Sequence, residues 1–356
     1  MESMGKKIRG RGTANNVDPR YMEFQREGFD DDWDAPSDEK RVGTTVTEEI
    51  ARTIISRNTS PDIPFEQSIN PYRGCEHGCN YCYARPSHAY LDLSPGIDFE
   101  TKLFAKPNAA ELLRNELTKP GYICKPIALG TNTDPYQPVE REYKITRSIV
   151  AVLNECQHPL TIVTKSRLIQ RDMDLLKALA EKDLVQVFIS VTTLNTDLAQ
   201  KLEPRASAPY RRVETIRRLS DAGIPVGLMF APVIPCVNDA EMEQILDTCA
   251  DAGAETAGYI MLRLPHEVKE LFREWLAIHM PLKKDHIMSL INDIREGKDY
   301  DANFRTRMRG TGVFATMIRK RFELRCNSLG LNRKRRDLVC DIFQASLLPH
   351  TQQSLF

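Results

Sequence analysis

An α/β fold, built as a partial (β/α)6 TIM-type barrel, is what this sequence predicts, and three observations predict it. From Glu66 to His279, short apolar or β-branched segments alternate with longer helical ones. Strands that are apolar throughout belong to parallel sheets covered by helices. About six such βα units can be counted, fewer than the eight of a closed barrel. The flanks break the pattern, so the chain divides into a disordered polar tail (1–42), a barrel core (43–298) and a basic C-terminal extension (299–356).

Each element has a local reason. Glu66 to Tyr72 is extended. Asn108 is placed to cap a helix carrying Leu112, Leu113 and Leu117. Pro126 to Gly130 is a short apolar strand. Glu140 to Gln157 has Ile145, Ile149, Val152 and Leu153 at helical spacing, and Leu160 to Thr164 is rich in β-branched residues. Leu168 to Lys182 is a helix, Val185 to Val191 a strand, and Tyr210 to Ala222 a helix stopped by Gly223. Pro225 to Phe230 is a strand, and Asn238 caps a helix ending near Gly253. Thr256 to Leu262 is a strand, followed by a helix from Pro265 to His279.

Composition excludes several classes. Lys and Arg number 49, as do Asp and Glu, so the whole chain has no bias toward polyanions. Nine cysteines, mostly scattered, do not make a secreted disulfide framework. No apolar stretch follows the charges of the first residues. The longest apolar run, Val226 to Val237, is interrupted by prolines and too short to cross a bilayer. The expected setting is the reducing cytoplasm, with no membrane partner.

The most informative stretch is Arg73-Gly74-Cys75-Glu76-His77-Gly78-Cys79-Asn80-Tyr81-Cys82-Tyr83. Its cysteines are spaced C-x3-C-x2-C, one thiolate short of a closed Fe–S or zinc site. Three thiolates suit a [4Fe–4S] cluster that keeps one iron open. Gly74 and Gly78 let the backbone turn tightly around such a core, and Tyr81 would shield one of its faces or lie toward a bound cofactor. A zinc knot of Cys75, Cys79, Cys82 and His77 is the rival, though His77 sits cramped between two ligands and no second C-x2-C pair exists. The loop follows the first parallel strand, at the edge where α/β enzymes place their chemistry.

This motif, with Tyr81 before the third cysteine, resembles the radical S-adenosylmethionine (radical SAM) superfamily. Asn70 to Cys75, Gly130 to Glu140, Thr164-Lys165-Ser166 and Leu202 to Ala206 resemble its branch related to spore photoproduct lyase, the DNA-repair-photolyase-like proteins. The resemblance implies that Cys75, Cys79 and Cys82 hold the cluster and that its fourth iron chelates S-adenosyl-L-methionine. It also implies that a flavodoxin- or ferredoxin-type donor supplies an electron, giving a 5′-deoxyadenosyl radical that abstracts hydrogen from substrate. Gly130, Thr131, Thr133 and Asp134 then face the methionine ammonium. Lys165, Ser166, Ser190 and Thr192 face the carboxylate and ribose. Turn chemistry alone would also explain residues 130–134. Glu203 and Arg205 are a candidate ion pair on the substrate side.

Lyase-type relatives return a hydrogen atom from a thiol near the end of the second strand. Here that place reads Leu129-Gly130-Thr131. Cys236, past the fifth strand, is the replacement candidate; the plainer expectation for it is a small buried residue. Cys124, Cys156, Cys249, Cys326 and Cys340 have no ligand-like spacing and are expected in the core. Eleven Lys or Arg against Glu323 between Phe304 and Arg336, with Phe304, Phe314 and Phe322 among them, make nucleic acid a candidate partner of the extension. The expected activity is a radical SAM lyase or repair reaction on an unidentified substrate. The alternatives are a radical SAM modifier of RNA or protein, and a non-catalytic zinc- or cluster-containing nucleic-acid-binding module.

Overall fold

The computed structural model describes residues 8, 10–21, 42–304, 306–334 and 336–348. The strands are β1 (Thr45–Glu48), β2 (Ile55–Arg57), β3 (Gln67–Ile69), β4 (Tyr72–Arg73), β5 (Lys102–Ala105), β6 (Ile127–Leu129), β7 (Leu160–Thr164), β8 (Val185–Ser190), β9 (Val226–Val233) and β10 (Thr256–Met261). The helices are α1 (Ile97–Thr101), α2 (Ala109–Leu117), α3 (Glu140–Tyr143), α4 (Ile145–Glu155), α5 (Met173–Ala180), α6 (Thr196–Leu202), α7 (Pro209–Asp221), α8 (Met242–Asp251), α9 (Val268–His279), α10 (Lys284–Asp293) and α11 (Gly312–Leu329).

The main sheet has the order β10-β9-β8-β7-β6-β3-β2. Its first six members are mutually parallel, and β2 pairs antiparallel with β3. The parallel strands therefore follow chain order, and their C-terminal ends share one edge. β3 and β6 are buried along their length, while β7 alternates buried and half-buried residues under the helices. Ile149, Val152 and Leu153 of α4 and Leu176 and Leu179 of α5 lie fully inside with them. Each such side chain contributes about 1.5–3 kcal/mol of burial. A small second sheet, β1-β5-β4, lies beside the cysteine loop.

Several expectations need correction. Asn108 precedes α2 but its side chain does not cap it; the amide instead brackets the Ala51 backbone. Asn238 likewise turns inward, accepting from the Ile234 amide at 2.7 Å and donating to the Thr192 and Pro232 carbonyls. The helix expected from Glu140 breaks at Lys144, where φ is +52°. Glu140 then caps the new start from within, accepting from the Thr146 amide at 2.9 Å. The small sheet and α6 lack a long periodic pattern and were not anticipated.

The disordered tail does not extend over residues 10–21. Arg11 and Thr13 are buried there, and Asn15 bonds Glu274 of α9 at 2.6 Å. The rest of the expected tail, apart from residues 8 and 42, lies outside the described residues.

The C-terminal extension packs through α11, which buries Ala315, Ile318, Phe322 and Cys326. Its arginines meet acids of the core: Arg321 with Glu243, Arg325 with Asp247, Arg307 with Asp62 and Arg336 with Glu255. Phe322 is buried against Tyr259 and Phe314 packs against the core, which leaves Phe304 as the exposed ring of the three.

Candidate active site at the cysteine loop

The cysteine loop leaves β4 with positive φ at Gly74 (+75°) and Gly78 (+67°). It is held from three sides. The Cys75 amide donates to the Phe99 carbonyl at 2.9 Å. Gln137 spans the loop, accepting from the Glu76 amide at 2.9 Å and donating to the Gly74 carbonyl at 3.1 Å. Arg85, fully buried, donates to the Cys79 carbonyl at 2.8 Å.

The three thiols share one locality. Cys75 and Cys82 pack with Ala84 and Phe99, and Cys79 packs with Tyr81, Leu198, Leu202 and Ile234. Burial, then Asp134, Cys79 and Cys82 push the Cys75 thiol up. Burial carries Cys79 up to about 12 against the opposing pull of Lys165.

His77 meets a carboxylate. Its Nδ1 lies 3.3 Å from Asp134 Oδ2, both side chains buried. Asp134 also accepts from the Thr164 hydroxyl at 2.6 Å, the Lys165 amide at 2.7 Å and the Tyr136 amide at 2.9 Å. Burial would raise its carboxyl, but His77 and these donors outweigh it and hold it at about 2. Asp134 thus ties the ends of β6 and β7 to the cysteine loop. It is a carboxylate with its lone pairs already engaged, not one free for an ammonium.

A second buried network was missed. Tyr81 and Thr192 donate to Glu203, Thr192 at 2.7 Å, and Arg212 of α7 pairs with the same carboxylate. Burial opposes the charge of Glu203, yet Arg212 and Lys165 hold it at about 2. The expected Glu203–Arg205 pair does not form: Arg205 bonds Glu76 at 2.9 Å. A signal existed, because Arg212 stands at helical spacing from buried Ile216 and Leu219. Such a position normally takes an apolar residue.

The other expected residues sort as follows. At Gly130, φ is +88° and a Cβ would lie 2.1 Å from the Val163 carbonyl, so only glycine fits this strand end. Thr131 sits beside the Asn70 amide, and the buried Thr133 hydroxyl donates to the Tyr72 carbonyl at 3.1 Å. The Lys165 ammonium stands 5.9 Å over the Tyr81 ring. Burial works against its charge, but Cys79 and Glu203 raise its pKa on balance. Ser166 caps the turn that follows it, accepting from the Leu168 amide, and the Ser190 carbonyl holds Arg212 at 3.2 Å.

Cys236 is exposed, with φ +59°. The buried reading is therefore corrected, and its charged neighbours are Asp239 and Lys283 rather than the cysteine loop. Cys156, Cys249 and Cys326 are buried as expected, while Cys124 and Cys340 are half-buried. Tyr83 and Arg263 were also missed. Tyr83 is 44% exposed and donates to the Thr131 carbonyl. The Arg263 guanidinium lies 5.1 Å from its ring and 5.9 Å from that of Tyr300.

A family model described as the Radical SAM superfamily matches residues 69–249, just over half of the chain. The chain belongs to the radical SAM superfamily. The protein Rv2578c of Mycobacterium tuberculosis is 36% identical over 238 residues, 66% of this chain and 70% of that protein. A protein of Methanocaldococcus jannaschii is 29% identical over 173 residues, 49% of this chain and 62% of its own length. Among solved structures, spore photoproduct lyase complexed with dinucleoside spore photoproduct aligns over 82% of both chains with a TM-score of 0.54 and 14% identity. A mutant of that lyase with bound AdoMet and dinucleoside spore photoproduct aligns equally well. At that identity the likeness is one of fold. The protein is an enzyme of the radical SAM type.

The residues fit the cofactors this family implies. Cys75 and Cys79, whose thiols are pushed up chiefly by burial, would be stabilised as thiolates, with Cys82 beside them, by a cationic inorganic core. Asn80, fully buried within the loop, has neither amide atom hydrogen-bonded. Among the described residues no three His, Cys, Asp or Glu side chains gather on a single metal ion. A cluster of several irons would ask for less convergence of the three cysteines than a single ion does. His77, the fourth residue of the zinc alternative, turns its Nδ1 to Asp134, and among the described residues it does not gather with the cysteines on one ion.

Proposed function

We propose that Cys75, Cys79 and Cys82 hold a [4Fe–4S] cluster that, with S-adenosyl-L-methionine on its fourth iron and an electron from a flavodoxin- or ferredoxin-type donor, supplies a 5′-deoxyadenosyl radical for hydrogen abstraction. One observation carries this reading: three thiols crowd together in a loop at the C-terminal edge of a parallel sheet. Gly130 gives close backbone approach at the next strand end, beside Thr131, whose hydroxyl and carbonyl meet Asn70 and Tyr83. Lys165, kept charged, suits a carboxylate. Ser190 and Thr192, tied to Arg212 and Glu203, stiffen the wall between. On this reading the six parallel strands curl into an open partial barrel. The free thiols suit a reducing compartment such as the cytoplasm.

For the substrate we favour nucleic acid, in a lyase or repair-like reaction. The support is the stack of Arg263 with Tyr83 and Tyr300 next to the cysteine loop, since such platforms hold bases and phosphates together. The spore photoproduct lyase of similar fold binds a dinucleoside. The extension supports this less than its sequence suggests, because many of its arginines are paired within the chain.

Anaerobic reconstitution with iron and sulfide tests the chemistry. A brown protein that forms 5′-deoxyadenosine and methionine when reduced is expected, with the activity lost in Cys79→Ala. A colourless, zinc-loaded protein inert toward S-adenosylmethionine would overturn the reading. Deuterium transfer from labelled DNA, RNA or peptide into 5′-deoxyadenosine then identifies the substrate class, and transfer from peptide alone would reject nucleic acid.

A further inference from the structure

Glu100 of α1 is a fully buried carboxylate behind the cysteine loop, and its partners come from two directions. On the loop side Arg85 donates to it at 2.6 Å while also holding the Cys79 carbonyl. On the other side it accepts from the Gly12 amide at 2.9 Å and from the Thr13 amide and hydroxyl, each at 3.1 Å. Arg11 adds a bond to the Glu100 carbonyl at 3.0 Å and others to Val42 and Thr44. Thr44 bonds Glu76 of the cysteine loop at 2.6 Å.

The fit is close as well as polar. A Cβ on Gly12 would stand 1.6 Å from the Gly78 carbonyl, and one on Gly78 would stand 2.8 Å from Glu100 Oε2. Residues 12, 78 and 100 are interleaved with no room for a side chain. Beyond them, Asn16 pairs with Asp98 at 3.1 Å and Asn15 reaches Glu274 on α9. The segment thus links the loop after the first parallel strand to the helix after the last one.

We propose that residues 11–16 are a strap that completes the housing of the cysteine loop, with Gly12 and Thr13 acting through Glu100 and Arg85 as positioning residues for Cys79. This rests on the cluster reading above. A cluster's retention and potential depend on hydrogen bonding and solvent access around its ligands. The strap supplies both: it covers the back of the loop and satisfies the buried carboxylate that orients Arg85.

Thr13→Val removes one hydroxyl from Glu100 at constant shape, Thr13→Ser restores it, and Gly12→Ala forces the strap off Gly78. Each full-length variant is reconstituted anaerobically beside the wild type. Three quantities are read: loss of cluster iron to a chelator, the midpoint potential of the cluster, and the melting of the metal-free protein. The expected result is roughly tenfold faster iron loss for Thr13→Val and more for Gly12→Ala. The potential shifts, Thr13→Ser behaves as wild type, and metal-free melting of Thr13→Val falls by no more than the loss of one hydrogen bond to a buried charge explains. Wild-type iron retention and potential in Thr13→Val and Gly12→Ala would overturn the strap while leaving the cluster standing. A wild-type protein that takes up no cluster would instead overturn the functional reading and the strap with it. If Gly12→Ala does not fold, Thr13→Val decides.

Discussion

Two groups of arginines divide this enzyme. Arg85 and Arg212 are buried near the cysteine loop, and each gathers several oxygens. Arg85 holds the Cys79, Pro95 and Gly96 carbonyls and Glu100. Arg212 holds the Ser207 and Ser190 carbonyls and Glu203. In the C-terminal extension, Arg321, Arg325 and Arg336 form forked pairs with Glu243, Asp247 and Glu255 near the surface. The second group is far more visible in the sequence, as a dense basic run. The first carries more structural weight, because a charge removed from water must be matched group by group, whereas an exposed pair competes with solvent.

Breaking the inner group should produce the largest effect. Arg212→Met leaves buried Glu203 without its hydrogen-bonded counter-charge, with only Lys165 to offset it, and should cost about 3–5 kcal/mol in denaturant unfolding of the metal-free protein. The double variant Arg212→Met/Glu203→Gln should cost clearly less. A single-variant loss below that of a surface pair would mean that the buried arginines carry no more weight than the exposed ones.

Buried histidines sharpen the same contrast through pH. Burial pushes His88 and His158 down to about 4 from 6.5. Between those values the unfolded chain binds protons that the folded chain does not. Stability is therefore full above about pH 6.5 and falls as pH drops toward 4, by about 3 kcal/mol per group if fully expressed. Glu203, held at about 2 in place of its ordinary 4.5, adds a further loss as pH falls from 4.5 toward 2. Urea midpoints measured at pH 7, 6 and 5 check the histidine part, and a flat profile would refute it.

The smallest effect belongs to the extension. Arg321→Ala should cost at most about 1 kcal/mol, and less at high salt. A larger loss that shrinks steeply with salt would mean that α11 is held by charge rather than by Phe322 and Ile318.

Much of the site was legible because its signals are local. The C-x3-C-x2-C spacing lies within one loop, and β-branched runs such as Leu160 to Thr164 declare their state over a few residues. Less legible was which group each polar side chain would meet. Glu203 stands two residues from Arg205 in sequence yet pairs with Arg212, because β8, α6 and α7 bring that guanidinium inward while Arg205 turns to Glu76. Asn108 and Asn238 had the composition of caps, but nearby backbone groups left unpaired by loops claimed their amides. Residues 10–21 looked like tail for want of apolar residues. They are ordered by polar contacts with Glu100, Asp98 and Glu274, distant in sequence and without a periodic signature.

By itself the sequence determined a parallel α/β chain with three cysteines at one strand end, since strand state and cysteine spacing depend on neighbours a few residues away. The tertiary structure decided the second layer: His77 on Asp134, Tyr81 on Glu203, and the 11–16 strap behind Cys79. Those contacts join segments tens to hundreds of residues apart, and only the closing of the fold brings their charges into reach.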